Sequence, residues 1–166
     1  MIILIDGPSG AGKTTLAQRF PGFQVLSLDS WYPGWDGLAQ GSQIAADLVL
    51  GRRDGYPRWD WEAARVSELV PVDRTLPWVI EGCGAITRQA AAAADLSIWV
   101  DADPLVARGR AAVRDGGADW WPNWHRQELA HWRRNRPWEL ATLYQHADGD
   151  DHQEHCETYV GNQRAD

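Results

Sequence analysis

The sequence predicts an α/β fold in three layers, a parallel sheet of about five strands with helices on both faces and a helical lid. Three observations predict it. Short apolar runs alternate along the chain with segments of helical spacing, the pattern of strand–helix–strand units. The first run, Ile2–Ile5, is apolar throughout, as a strand buried on both faces requires. That run passes directly into G-P-S-G-A-G-K-T at residues 7–14, and a helical segment follows. A length of 166 residues suits one domain, so a single domain over 1–166 is expected.

Taken in order, a helix is expected from Lys13 to Phe20, closed by Pro21 and Gly22. Val25–Leu28 reads as the second strand and Asp29–Gly41 as a loop rich in Gly, Trp and Pro. Ser42 caps a helix to Leu50, with Gly51 beyond its end. Gly55–Asp60 reads as a loop and Trp61–Val70 as a helix stopped by Pro71. Trp78–Glu81 and Leu96–Asp101 are the third and fourth strands. Asp103-Pro104 pairs a capping residue with a first-turn proline, opening a helix to Arg114 that ends at Gly116-Gly117. Pro122 opens another helix to Arg136. Leu140–Tyr144 reads as the last strand or a short helix, and the polar tail from about 148 to 166 as irregular.

Lys plus Arg number 16 and Asp plus Glu 23, a net charge of −7. Such acidity argues against broad binding to nucleic acid polymers or anionic membranes. Cys83 and Cys156 have neither metal-site nor redox-pair spacing, so a reducing, cytoplasmic setting is expected. The apolar start is too short for a membrane span and lacks the flanks of a secretory leader. The 11 tryptophans read mainly as packing residues, with some near Gly- and Pro-containing loops suited to a flat ligand.

Residues 7–14 match G-x-x-x-x-G-K-[ST], the phosphate-binding loop of P-loop NTPases, in the required strand–loop–helix setting. Gly7, Gly10 and Gly12 allow tight turns; with Pro8, Ser9, Ala11, Thr14 and Thr15 they present backbone N–H groups to an anion. Lys13 supplies a cation for the outer phosphates, and the Thr14 hydroxyl suits Mg²⁺. ATP and Mg²⁺ are the expected cofactors. Asp29 and Glu81 follow strands, and ligands in open parallel sheets collect at the carboxyl ends of strands. One carboxylate can orient an acceptor hydroxyl and another can serve the metal shell.

G-P-S-G-A-G-K-T, then L-D-S-W-Y at 28–32 and V-I-E-G at 79–82, resemble the uridine kinase and nucleoside-kinase branch of small P-loop kinases over about residues 1–115. The resemblance implies that Asp29 is the base for the acceptor hydroxyl and Tyr32 lines the acceptor pocket. It further implies that Glu81, with Thr14 and Asp29, serves the metal. Asp60, with Arg58 and Trp59 beside it, is the candidate for gripping sugar hydroxyls. Arg110 and Arg114, four apart on one helix face, match arginines that similar kinases close over the phosphates, in a lid spanning about 108–136. The chain departs from the family in having fewer lid arginines, a shorter length and no extra hairpin in the acceptor region.

Trp124, Glu128 and His131 form one helix stripe, read as packing with a salt-linked histidine; the alternative is contact with the active site from the lid. Trp120 and Trp121 read as packing or as a cover for a base, and Trp31 and Trp35 as acceptor-pocket candidates. His146, His152 and His155 read as solvated residues. The expected function is transfer of the ATP γ-phosphate to a hydroxyl of a small molecule, a nucleoside or similar metabolite. The alternative is an NTPase or regulatory nucleotide-binding module without a dedicated acceptor. No N-K-x-D segment is present, which disfavours a GTPase.

Overall fold

The computed structural model describes residues 1–147. The expectations for the polar tail, His152, His155 and Cys156 lie outside the described residues. In chain order the elements are β1 (Ile2–Asp6), α1 (Lys13–Ala17), β2 (Gln24–Ser27), α2 (Leu38–Val49), β3 (Gly55–Asp60) and β4 (Arg65–Pro71). There follow β5 (Trp78–Glu81), α3 (Arg88–Ala93), β6 (Leu96–Asp101), α4 (Pro104–Asp115), α5 (Trp121–Asn135), α6 (Pro137–Leu140) and β7 (Leu143–His146).

Five strands form one sheet in the order β2-β5-β1-β6-β7, and every pairing is parallel. The central strand β1 pairs Ile3 with Val79 on one side and with Leu96 on the other. Side chains alternate across a strand, so the sheet feeds two cores. Leu4 and Ile80 join Leu28, Trp31, Leu38, Leu48 and Ile86 on one face. Ile3, Ile5 and Val79 join Ala17, Ile98, Val100 and Ala107 on the other. This is the three-layer architecture of P-loop NTPases.

The strands expected at 2–5, 25–28, 78–81 and 96–101 are present within a residue or two. So are the helix start at Asp103, whose Oδ1 accepts the N–H groups of Leu105 and Val106, and the stop at Gly116, φ 73°. The last uncertain stretch is both things at once: the short helix α6, then β7 beside β6. Helix α2 begins four residues before Ser42, and the Ser42 hydroxyl instead donates to the Gly84 carbonyl at 2.7 Å. Helix α3, capped by the Thr87 hydroxyl, has no counterpart in the sequence reading; its alanine-rich run carries little periodic contrast.

One segment corrects the sequence reading. Residues 61–70 are not a helix, and 55–60 are not a loop. They form an antiparallel hairpin, with Gly55 opposite Pro71 and Asp60 opposite Arg65. The expected absence of an extra hairpin is therefore also overturned. Asp60 Oδ1 accepts the N–H groups of Glu62 and Ala63, closing the turn with a side chain where Gly would be the usual device. Val66 and Leu69 are exposed on β4, so residues 61–70 offer no buried stripe to distinguish strand from helix in the sequence.

The expected lid divides into two parts. Helix α5 is docked: Trp124, Glu128, His131 and Trp132 are buried, and the helix lies against α2. Helix α4 carries Arg110 and Arg114. Among the described residues no helix is long and apolar enough to cross a membrane. Leu4 is fully buried at the centre of the sheet. Leu4→Ala is expected to lower unfolding free energy by about 2–5 kcal/mol, read from the urea midpoint at unchanged slope.

Candidate functional site

The phosphate loop bridges β1 and α1 and is pressed against α4 at Gly10. A side chain at Gly10, where φ is 83°, would bring its Cβ to 1.9 Å from the Ala107 carbonyl oxygen on α4. Only glycine permits that approach and that backbone together. The loop opens on a cavity of about 530 Å³ at the carboxyl edge of the sheet, the place where this topology collects ligands.

The cavity wall brings together Ser9, Gly10, Gly12, Lys13, Thr14 and Thr15 from the loop and α1, Asp29 and Tyr32 after β2, and Glu81 at the end of β5. Arg110 and Arg114 of α4 face the same space. Lys13 Nζ donates to the carbonyls of Gly7 at 3.0 Å and Pro8 at 2.8 Å and approaches Cys83 Sγ at 3.4 Å. Burial pulls the Lys13 pKa down, but the surrounding carboxylates of Glu81, Asp6 and Glu128 work against it, and the ammonium is held above its usual value.

Glu81 is 2% exposed. The Thr14 hydroxyl donates to its Oε1 at 3.2 Å. Burial pushes its carboxyl pKa up, partly opposed by Ser27 and Lys13. Two hard oxygen donors, a hydroxyl and a carboxylate, thus stand beside the phosphate loop, the donor chemistry that Mg²⁺ prefers. Asp29 is exposed to the cavity. Arg114 makes a two-point ion pair with Asp115, both contacts at 2.7 Å, and its pKa is raised chiefly by that pairing.

Tyr32 lines the cavity, but its O–H donates to the buried Cys83 carbonyl at 2.6 Å. Burial pushes the phenol pKa well up, so Tyr32 acts as wall and strut. Arg58, Trp59 and Asp60 are not on the cavity wall. Arg58 pairs with Glu68 across the hairpin at 2.9 Å, Asp60 closes the hairpin turn, and Trp59 lies against Gly34. The hairpin residue that does reach the cavity is Trp61, whose indole N–H donates to the Asp29 carbonyl at 2.9 Å. The mistaken helix at 61–70 concealed it. Trp31 is buried beneath the site, with its indole N–H on the Gly41 carbonyl.

Tryptophans close the other end. Trp35 stacks on Trp120, with ring centroids 4.8 Å apart and planes 14° apart, and packs on Trp61 at 5.0 Å. Trp124 meets Tyr32 edge-on at 4.9 Å. Trp35, Trp61, Trp120 and Trp124 all line the cavity. Two buried carboxylates stand behind the loop: Asp6, which the sequence did not single out, and Glu128, read there as part of a packing stripe. Asp6 Oδ1 accepts the Gly7 N–H at 2.7 Å and the Gly84 N–H at 3.0 Å, and Oδ2 accepts the Ile86 N–H at 2.9 Å. His131 Nε2 lies 3.4 Å from Asp6 Oδ2. The histidine beside Glu128 is His125.

The raised Glu81 pKa has a consequence for stability. A carboxyl whose folded pKa lies above its unfolded value of 4.5 favours folding while protonated and loses that contribution as pH rises through the folded value. Glu81→Gln is therefore expected to melt at a higher temperature than the wild-type chain at pH 7.5, with the gap closing at pH 4. Parallel thermal melts at the two pH values check it.

No family model and no curated protein matches the chain. Solved structures do match in fold. A "Possible Uridine Kinase from Bacillus stearothermophilus" superposes with a TM-score of 0.56 at 18% identity, covering 87% of this chain and 88% of that one. An uncharacterized protein from Eubacterium ventriosum ATCC 27560 superposes with a TM-score of 0.51 at 11% identity, covering 100% and 99%.

Proposed function

We propose that the chain is an ATP-dependent phosphotransferase that moves the γ-phosphate to a hydroxyl of a small molecule, a nucleoside or similar metabolite. The observation that carries this reading is one cavity whose wall joins phosphate-loop residues between Ser9 and Thr15, the strand-end carboxylates Asp29 and Glu81, and the aromatic rings of Tyr32, Trp35, Trp61, Trp120 and Trp124. The D-S-W-Y segment and the fold likeness to a possible uridine kinase support the nucleoside-kinase branch.

Gly7 to Thr15 would cradle the phosphates through backbone N–H groups and the positive end of α1. Lys13 would turn from the Gly7 and Pro8 carbonyls to the transferred group and stabilise its charge. Thr14, with Glu81 and Asp29, would hold Mg²⁺. That ion would neutralise charge on the phosphate oxygens. Asp29 would orient the acceptor hydroxyl and take its proton. Arg110 and Arg114 would bear on the developing charge from α4 while the indoles of Trp35, Trp61 and Trp120 keep water out.

ADP release measured with and without a panel of nucleosides and small alcohols tests the reading. Release that depends on an acceptor supports it; release indifferent to every acceptor favours an NTPase. Lys13→Ala is expected to abolish transfer without unfolding the chain. Asp29→Asn is expected to reduce turnover by about a hundredfold or more, the size of a general-base contribution, with ATP affinity little changed. Full turnover in Asp29→Asn would remove the base assignment.

A further inference from the structure

Glu128 is the least expected ionisable group in the molecule. It comes from α5, far in sequence from the phosphate loop, and is 1% exposed. Its Oε1 accepts the backbone N–H of Ser9 at 2.8 Å and lies 3.3 Å from the Cys83 thiol. The Cys83 thiol is the donor in that contact. Oε2 lies 3.1 Å from His125 Nδ1. Glu128 is not on the cavity wall, whereas Ser9, Cys83 and Lys13 are. The carboxylate therefore stands behind the loop, gripping it from outside.

We propose that Glu128 is a positioning residue for nucleotide binding, fixing the first arm of the phosphate loop through the Ser9 N–H and the Cys83 thiol. The path to the ligand is short. The Pro8 carbonyl, one residue before Ser9, holds Lys13 Nζ, and Cys83 Sγ touches the same ammonium. A carboxylate that sets Ser9 and Cys83 thereby sets two of the three supports from which Lys13 must turn. One turn along α5, His131 approaches Asp6, which holds Gly7. The helix thus holds the loop at Ser9 and lies against Asp6 beside Gly7. The contact requires reach more than charge: an acceptor atom must arrive at Ser9 N. Glutamine supplies one at the same distance, while aspartate carries the charge but falls short by about 1.5 Å, one carbon–carbon bond.

The inference rests on the nucleotide-binding reading, and calorimetric titration of the purified chain with MgATP tests the two separately. Glu128→Asp and Glu128→Ala are expected to weaken MgATP binding by about tenfold or more, the effect of leaving a buried N–H without its charged acceptor. Glu128→Gln is expected to recover most of the wild-type affinity. Thermal melts of each variant accompany the titrations, and the Asp and Gln variants decide the matter if the Ala variant does not fold. A purely structural Glu128 would lower the melting temperature while the folded fraction bound MgATP as tightly as the wild type, which overturns the proposal. So would tight binding by Glu128→Asp with weak binding by Glu128→Gln, which would make charge the agent. If the wild-type chain binds MgATP and Lys13→Ala does not, yet Glu128→Asp stays within about twofold of wild type, far below the loss that a missing buried hydrogen bond brings, this inference alone falls. If the wild-type chain binds no MgATP, both readings fall.

Discussion

Asp6 has no solvent exposure, and a buried carboxylate is tolerable only where donors replace its lost hydration. Three backbone N–H groups do so, from Gly7, Gly84 and Ile86. Two of the three belong to the segment after β5, and the other opens the phosphate loop. The central strand therefore ends in a charge that draws two neighbouring loops onto itself, with His131 of α5 beside it. Each surrounding part depends on that knot. The loop cannot shift without losing a bond to Asp6. Cys83 and Gly84 keep their places below the cavity, and α5 is held where Glu128 meets Ser9.

Much of this was open to reading in the sequence, for definite reasons. Strands β1, β5 and β6 are short apolar runs buried on both faces, and the phosphate loop has a fixed spacing that its chemistry demands. Asp29 and Glu81 were placed by strand ends, Arg110 and Arg114 by helix spacing together with the family resemblance, and Tyr32 by that resemblance alone; all five line the same cavity. The failures have equally physical causes. The hairpin at 55–71 is exposed on its strand β4, so its residues carry neither a clear two-residue nor a helical alternation. Its turn is closed by Asp60 instead of glycine. The family resemblance drew attention to Arg58 and Asp60, and the helix expected at 61–70 drew it away from Trp61.

Glu128 and His131 were visible as polar members of an otherwise buried stripe on α5. Their spacing showed that they share a face. It could not show what that face met, because the partners, Ser9 and Asp6, are more than a hundred residues away. Periodicity reports which side of an element is inside. It does not report whether the inside is a core or the back of a ligand site, and in this fold α5 covers both.

The indole stack over the cavity has an optical side. Trp35 and Trp120 lie nearly parallel at 4.8 Å, close enough for their transition dipoles to couple and give a paired band in circular dichroism. One ring comes from the segment after β2 and the other from the turn before α5. Any separation of those two segments uncouples the pair. The chain thus contains its own chromophoric gauge of how far the roof of the site stands open, readable without a label.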